Sequence, residues 1–122
     1  MLTKGNGGPL AGIRVLDLST VIAAPFGATL LGDFGAEVIK IELPGTGDPL
    51  RNLGPYHKGE GLRWPGLARN KKSLTLDLHK EEGKEILRKL VAKSDIVIEN
   101  FRTGTLEKWG IGYENLKQYN QN

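Results

Sequence analysis

The order of apolar and polar positions sets out a chain of alternating strands and helices. Ile13-Arg14-Val15-Leu16-Asp17-Leu18 puts Ile13 and Val15 on one face and predicts a first strand. Ser19 and Thr20 end it and can cap the next element, and Pro25 fits the first turn of a helix, where its missing N–H costs nothing. That helix is predicted to run to about Asp33, with Phe26, Leu30, Leu31 and Phe34 as apolar contacts and Gly35 as its stop. Glu37 to Glu42 reads as a second strand. Residues 43–72 come next, with four prolines and no periodicity, a length that marks a functional or partner-packed loop.

Residues 73–78 alternate strictly and predict a third strand. Lys80 to Lys93 is the clearest helix, with Ile86, Leu87, Leu90 and Val91 on one face and Gly83 as a weak point of about 1 kcal/mol. Asp95 to Glu99 reads as a fourth strand, its Ile-Val-Ile run suited to a buried parallel sheet. A short helix over Thr103 to Trp109, closed by Gly110, and a turn or two from Tyr113 to about Tyr119 complete the order. The fold class is α/β: a Rossmann-like parallel sheet with flanking helices. Residues 1–9 are Gly-rich and read as a loose N-terminal arm, with one domain segment over 10–122.

Composition narrows the chemistry. The 122 residues contain no cysteine, which excludes disulfides and thiol catalysis and fits a cytoplasmic setting. No secretory signal is visible, and no apolar run nears the roughly 20 residues of a membrane span. The net charge of +3 is uneven: residues 1–50 hold 3 basic and 5 acidic groups, and residues 51–122 hold 14 and 9. The basic part attracts anions without selecting among them.

Ligands of open parallel sheets bind beyond the carboxyl ends of the strands. Those ends are Thr20 to Ala24, Leu43 and Pro44, Leu76 to His79, and Asn100 to Arg102. Two lead into helix N-termini, which favour anions. Asn100 offers an amide, Phe101 a flat apolar face and Arg102 a permanent cation, with Lys108 two turns on. Such a set suits a phosphorylated nucleotide, whereas each residue alone is equally well ordinary surface or core. Arg69, Lys71 and Lys72 cluster before the third strand; Lys71 and Lys72 taken singly read as surface.

Other motifs fall short. The turn after the first strand lacks Gly-x-Gly-x-x-Gly, although Glu42 ends the second strand where a dinucleotide fold places its ribose-binding acid. "GTGDPLR" is not followed by the Gly-Lys-Ser/Thr of a phosphate loop. His57 and His79 are too few for a metal site. Asp17 and Asp77 are read as satisfying backbone groups at strand ends, and no aspartate has a partner base, so no catalytic residue is assigned.

Four segments, "PLAGIRVLDLSTVIAAPFGATLLGDFGAEVIKIE", "PGTGDPLR", "RNKKSLTLDL" and "IVIENFRTGTLEKWGIGYENL", together resemble the N-terminal part of the class III CoA-transferases, over about residues 9–119. That family includes formyl-CoA, carnitine and succinate–hydroxymethylglutarate CoA-transferases, with 2-methylacyl-CoA racemases as relatives. The resemblance implies coenzyme A or acyl-CoA as substrate rather than as a tightly bound cofactor, a carboxylic-acid co-substrate, and an interlocked homodimer. It implies CoA contacts at Ile22, Ala23, Leu76, Asp77, Leu78, His79, Asn100, Phe101, Arg102 and Lys108. Where some members carry an arginine for the phosphates, this chain has Leu43, which leaves Arg51, Arg69, Lys71 and Lys72 as substitutes. In the family a downstream aspartate attacks the acyl-CoA. The chain is therefore expected to be an N-terminal, CoA-binding piece that needs its downstream half. The alternatives are a segment of a racemase-type enzyme and a non-catalytic CoA-binding or interaction module. Nucleic acid is the weakest reading of the basic cluster, which lacks interleaved aromatics.

Overall fold

The computed structural model describes residues 7–121. Its core is a four-stranded, wholly parallel sheet of β1 (Arg14–Asp17), β2 (Glu37–Glu42), β5 (Lys71–Thr75) and β6 (Ile96–Ile98) in the order β5-β2-β1-β6. The chain steps outward from β1 to β2 to β5, then returns to the other flank of β1. The strand order thus reverses between β1 and β6, where parallel sheets open a crevice at their carboxyl ends.

Alternation along the strands divides the two faces. Leu16, Leu18, Ile41 and Leu76 point to one side and form the main core with Leu87 and Val91 of α3 (Glu81–Val91), Leu106 of α4 (Thr105–Lys108), and Ile111 and Leu116 around α5 (Tyr113–Leu116). Val15 and Val38 point to the other side and pack with Ala28 of α1 (Ala23–Asp33) and Ala36. No helix among the described residues is long and apolar enough to cross a membrane.

Residues 43–72, expected as an aperiodic loop, instead give up Lys71 and Lys72 to β5 and otherwise fold into small elements: a 3-10 turn at Pro49–Asn52, a hairpin of β3 (Tyr56–His57) and β4 (Glu60–Gly61), and α2 (Arg63–Leu67). Asp48 caps the 3-10 turn through the Leu50 N–H at 2.8 Å, with Pro49 beginning it. That Asp-Pro start is a local capping signal rather than a periodic one.

The third sheet strand runs over 71–75 rather than the expected 73–78. Its register against β2 ends at Glu42↔Thr75, because β2 ends there. The last link is Leu76 N–H to the Glu42 carbonyl at 2.9 Å. Leu76 and Leu78 continue the alternation because both still face α3, not because they belong to the sheet. Residues 1–6 of the expected N-terminal arm lie outside the described residues; Leu10 N–H bonds the Phe34 carbonyl at 3.1 Å, which docks the start of the domain on the end of α1.

Gly83 is not a weakness of α3 but a condition of its packing. A Cβ there would overlap the Asp77 carbonyl. Only glycine lets the first turn of the helix sit against the segment that leaves β5.

Candidate functional site

Beyond the α1-side apolar cluster the same face of the sheet turns ionic. Asp17, Lys40, Glu42 and Asp48 have side chains no more than 2% exposed, and that of Lys71 is 3% exposed. Lys40 Nζ lies 3.0 Å from Asp48 and 3.7 Å from Asp17, and also donates to the Ser19 carbonyl. Lys71 Nζ reaches Asp17 Oδ2 at 2.8 Å and the Pro25 carbonyl at 2.6 Å. Ser19 donates its hydroxyl to Asp17. Glu42 accepts from Arg51 at 2.7 and 2.8 Å, from Ser73 at 2.7 Å and from the Asp48 N–H at 2.9 Å. Arg51 in turn lies over the Trp64 ring at 3.8 Å. Among the described residues no buried side-chain nitrogen or oxygen lacks a partner. Buried charge is tolerable only in such a fully paired arrangement.

Burial is the largest influence on Glu42 and acts to raise its pKa. The bonds from Arg51, Asp48 and Ser73 together outweigh it and hold the carboxyl at about 2. Burial likewise leads for Lys71 and lowers its pKa, opposed by the bond to Asp17.

This ionic layer borders the link that leaves the carboxyl end of β1. The Thr20 N–H donates to Asn100 Oδ1 at 2.8 Å, and Asn100 Nδ2 donates back to the Thr20 carbonyl at 2.9 Å. The Asn100 amide therefore ties the two strand ends together across the point where strand order reverses. Ile22 and Ala23 are exposed at the start of α1, which has no side-chain cap. Pro25 occupies its first turn, so the unpaired N–H groups expected there belong to Ala23 and Ala24.

On the other side of the rim, three rings form a ladder. His79 meets Trp109 edge-on at 4.6 Å between centroids, and Phe101 meets the same Trp109 at 5.4 Å. Asp77 turns the chain here: its carboxylate accepts from the His79 N–H at 3.0 Å and lies 3.0 Å from His79 Nδ1. The His79 N–H first, and then the ring, hold the Asp77 carboxyl below its ordinary pKa. Leu76 and Leu78 are buried in the core. Arg102 and Lys108 are exposed, and neither has an ion-pair partner among the described residues.

The other cations considered for phosphates are engaged. Arg51 holds Glu42, Arg69 holds Asp33 at 2.6 Å, Lys71 holds Asp17, and Lys72 holds Glu37 at 2.5 Å. Lys72 is surface, as its sequence context suggested, but Lys71 is buried beneath α1. Asp17 likewise does more than satisfy a strand end. Every aspartate is occupied: Asp95 accepts from the Arg14 N–H at 2.8 Å, Asp33 from Asn70 at 2.8 Å, and Asp17, Asp48 and Asp77 from Ser19, Leu50 and His79. None is an unengaged nucleophile. Trp109 and Asp48 escaped the sequence reading as site residues. The signals for them were an aromatic placed just before the Gly110 stop and an aspartate placed just before Pro49.

Fold and rim together define a parallel α/β sheet with a polar rim at its carboxyl edge, one side cationic and aromatic. Residues 10–122 match CoA-transferase family III, and the chain belongs to that family. It is 56% identical over 113 residues to the beta subunit of succinyl-CoA–L-malate CoA-transferase of Chloroflexus aurantiacus, covering 92% of this chain and 28% of that one. It is 42% identical over 111 residues to human succinyl-CoA:glutarate CoA-transferase, covering 90% of this chain and 25% of that protein. A CAIB/BAIF family protein from Brucella suis superposes with a TM-score of 0.86 at 42% identity, over 94% of this chain and 32% of that structure. A Mycobacterium tuberculosis protein gives 0.87 at 40% identity, over 95% and 32%. The chain thus spans between a quarter and a third of the length of these relatives.

Proposed function

We propose that this chain is the coenzyme A-binding, N-terminal segment of an enzyme that moves CoA between carboxylic acids, with the acyl-accepting aspartate supplied by sequence outside it. The relatives are named for such transfers, from succinyl-CoA to malate or glutarate. The observation that carries the reading is the pair of unengaged cations, Arg102 and Lys108, beside the Phe101–Trp109–His79 ladder at the sheet's carboxyl edge. An adenine needs a flat apolar surface, and its phosphates need permanent positive charge that is not already spent.

The contacts proposed are Ile22, Ala23, the backbone of Leu76 and Leu78, Asp77, His79, Asn100, Phe101, Arg102 and Lys108. Coenzyme A is here a substrate, exchanged at each turnover. The setting proposed is the cytoplasm, in a Rossmann-like unit completed by an interlocked second copy or by a complementing C-terminal half. Titration of free coenzyme A into isotope-labelled chain tests the binding. Shifts are expected at the amides of 20–23, 76–79 and 100–102 and at Lys108. A folded chain that shows no shift there at millimolar coenzyme A would end the reading.

A further inference from the structure

The four-residue link Ser19 to Ile22 hangs between two side chains from distant parts of the chain. On one flank Asn100 grips both the N–H and the carbonyl of Thr20. On the other the Val21 N–H donates to both carboxylate oxygens of Asp48, at 3.1 and 3.3 Å. Val21 is held at φ 69°, in the left-handed region that a β-branched residue rarely enters. Asp48 is itself immobilised. It is 2% exposed, its Oδ2 lies 3.0 Å from the Lys40 ammonium, its Oδ1 accepts the Leu50 N–H at 2.8 Å, and its own N–H is bonded to Glu42 at 2.9 Å. Its position is therefore dictated by β2, not by the loop it holds.

We infer that Asp48 is a positioning residue for the coenzyme site: through Val21 it presets the backbone that presents Ile22 and Ala23 to the ligand. The inference rests on the coenzyme A reading above. A β-branched residue keeps a positive φ only while its surroundings over-determine it. With the carboxylate gone the link relaxes, and the ligand must restore its arrangement on binding, which lowers affinity. Asn100 holds the same short link from the opposite side, so the two side chains act on one element.

The test is a double-mutant cycle on this chain, read by calorimetric titration with free coenzyme A and by amide hydrogen exchange without ligand. Asp48→Ala and Asn100→Ala are each expected to weaken binding about tenfold. The double variant should fall short of the product of the two effects by the share that Asn100 exerts through Thr20, since its own contact with the ligand is lost in either background. Asp48→Asn, which keeps an oxygen for the Val21 and Leu50 N–H groups, should recover most of the affinity. Protection of the Val21 amide should fall in Asp48→Ala while β1 and β2 stay protected. Undiminished affinity in a folded Asp48→Ala chain, or multiplicative losses in the double variant, would overturn the inference. Asn100 is exposed, so its variant folds and reads the link even where Asp48→Ala does not. Should the unaltered chain fail to bind coenzyme A, the ligand reading falls. The positioning claim is then decided by exchange alone, and unchanged Val21 protection in Asp48→Asn and Asp48→Ala alike defeats it.

Discussion

The Lys71 ammonium sits 2.8 Å from Asp17, although the whole of β2 lies between the strands that carry them. Its stem runs under α1 and spends its charge on a carboxylate with no exposure to solvent. The next residue, Lys72, is 66% exposed and pairs with Glu37 at the surface. Lys71→Met should destabilise the chain by about 2–3 kcal/mol, since it takes from the buried Asp17 its nearer cation and leaves it Lys40 and Ser19, whereas Lys72→Ala should stay within about 0.5 kcal/mol. Adding Asp17→Leu to Lys71→Met should return part of the loss. Urea titrations at neutral pH measure all three, and equal effects at positions 71 and 72 would refute the distinction.

Glu42 should give the fold an acid-sensitive component. Its folded pKa of about 2 lies below the ordinary value of 4.5, so the stabilisation is complete above 4.5 and is lost as pH falls towards 2. The amount is on the order of 2 kcal/mol, after allowance for solvent on the Arg51 side of the pair. Glu42→Gln should be less stable at pH 7, and its stability should fall less steeply between pH 5 and 2, as followed by circular dichroism in urea. Parallel pH profiles for the two chains would contradict this.

Gly83→Ala raises helix propensity by about 1 kcal/mol on an exposed helix. Here the sign reverses, because the added methyl overlaps the Asp77 carbonyl. A net destabilisation of about 1–3 kcal/mol is expected from overpacking. The displacement should also appear as shifted amide resonances at Asp77 and His79. A more stable variant would show that α3 has room the structure does not display.

Trp109 joins the two aromatic members of the rim, Phe101 and His79. Trp109→Ala should weaken coenzyme A binding about tenfold by releasing both rings, while Trp109→Phe, which keeps an edge for each, should stay within about threefold. Calorimetry on the two variants separates them; equal losses would remove the ladder from the site.

β1, β2 and the α3 helix were legible because their side chains alternate or repeat against the apolar clusters on the two faces of the sheet, whereas the Ile-Val-Ile run of β6, expected to be buried, lies at the sheet edge with Ile96 and Val97 exposed. The charged layer was not legible. In Glu37-Val38-Ile39-Lys40-Ile41-Glu42 the alternation is clear, but it places Lys40 and Glu42 on the same face as the core residue Val38. A charge in a strand ordinarily signals a solvated face, and only tertiary contacts from Asp48, Arg51 and Lys71 reverse that. The candidate rim was read from strand ends; that of β5 falls at Thr75, three residues before the expected 78. The partners of Asn100 and Asp48 lie 80 and 27 residues away, beyond the reach of any local pattern.

Arg51, seated between Glu42 and the Trp64 ring, also bears on how proteases should meet this chain. Residues 43–70 look from composition like a tether, yet they are bolted to β2 near one end and closed over by an indole further along. Lys58, at the exposed tip of the small hairpin, is where trypsin should find them open. After a cut there, the halves should stay associated and leave a column together, because β2–β5, β1–β6 and the main core all join them, and should separate only in denaturant.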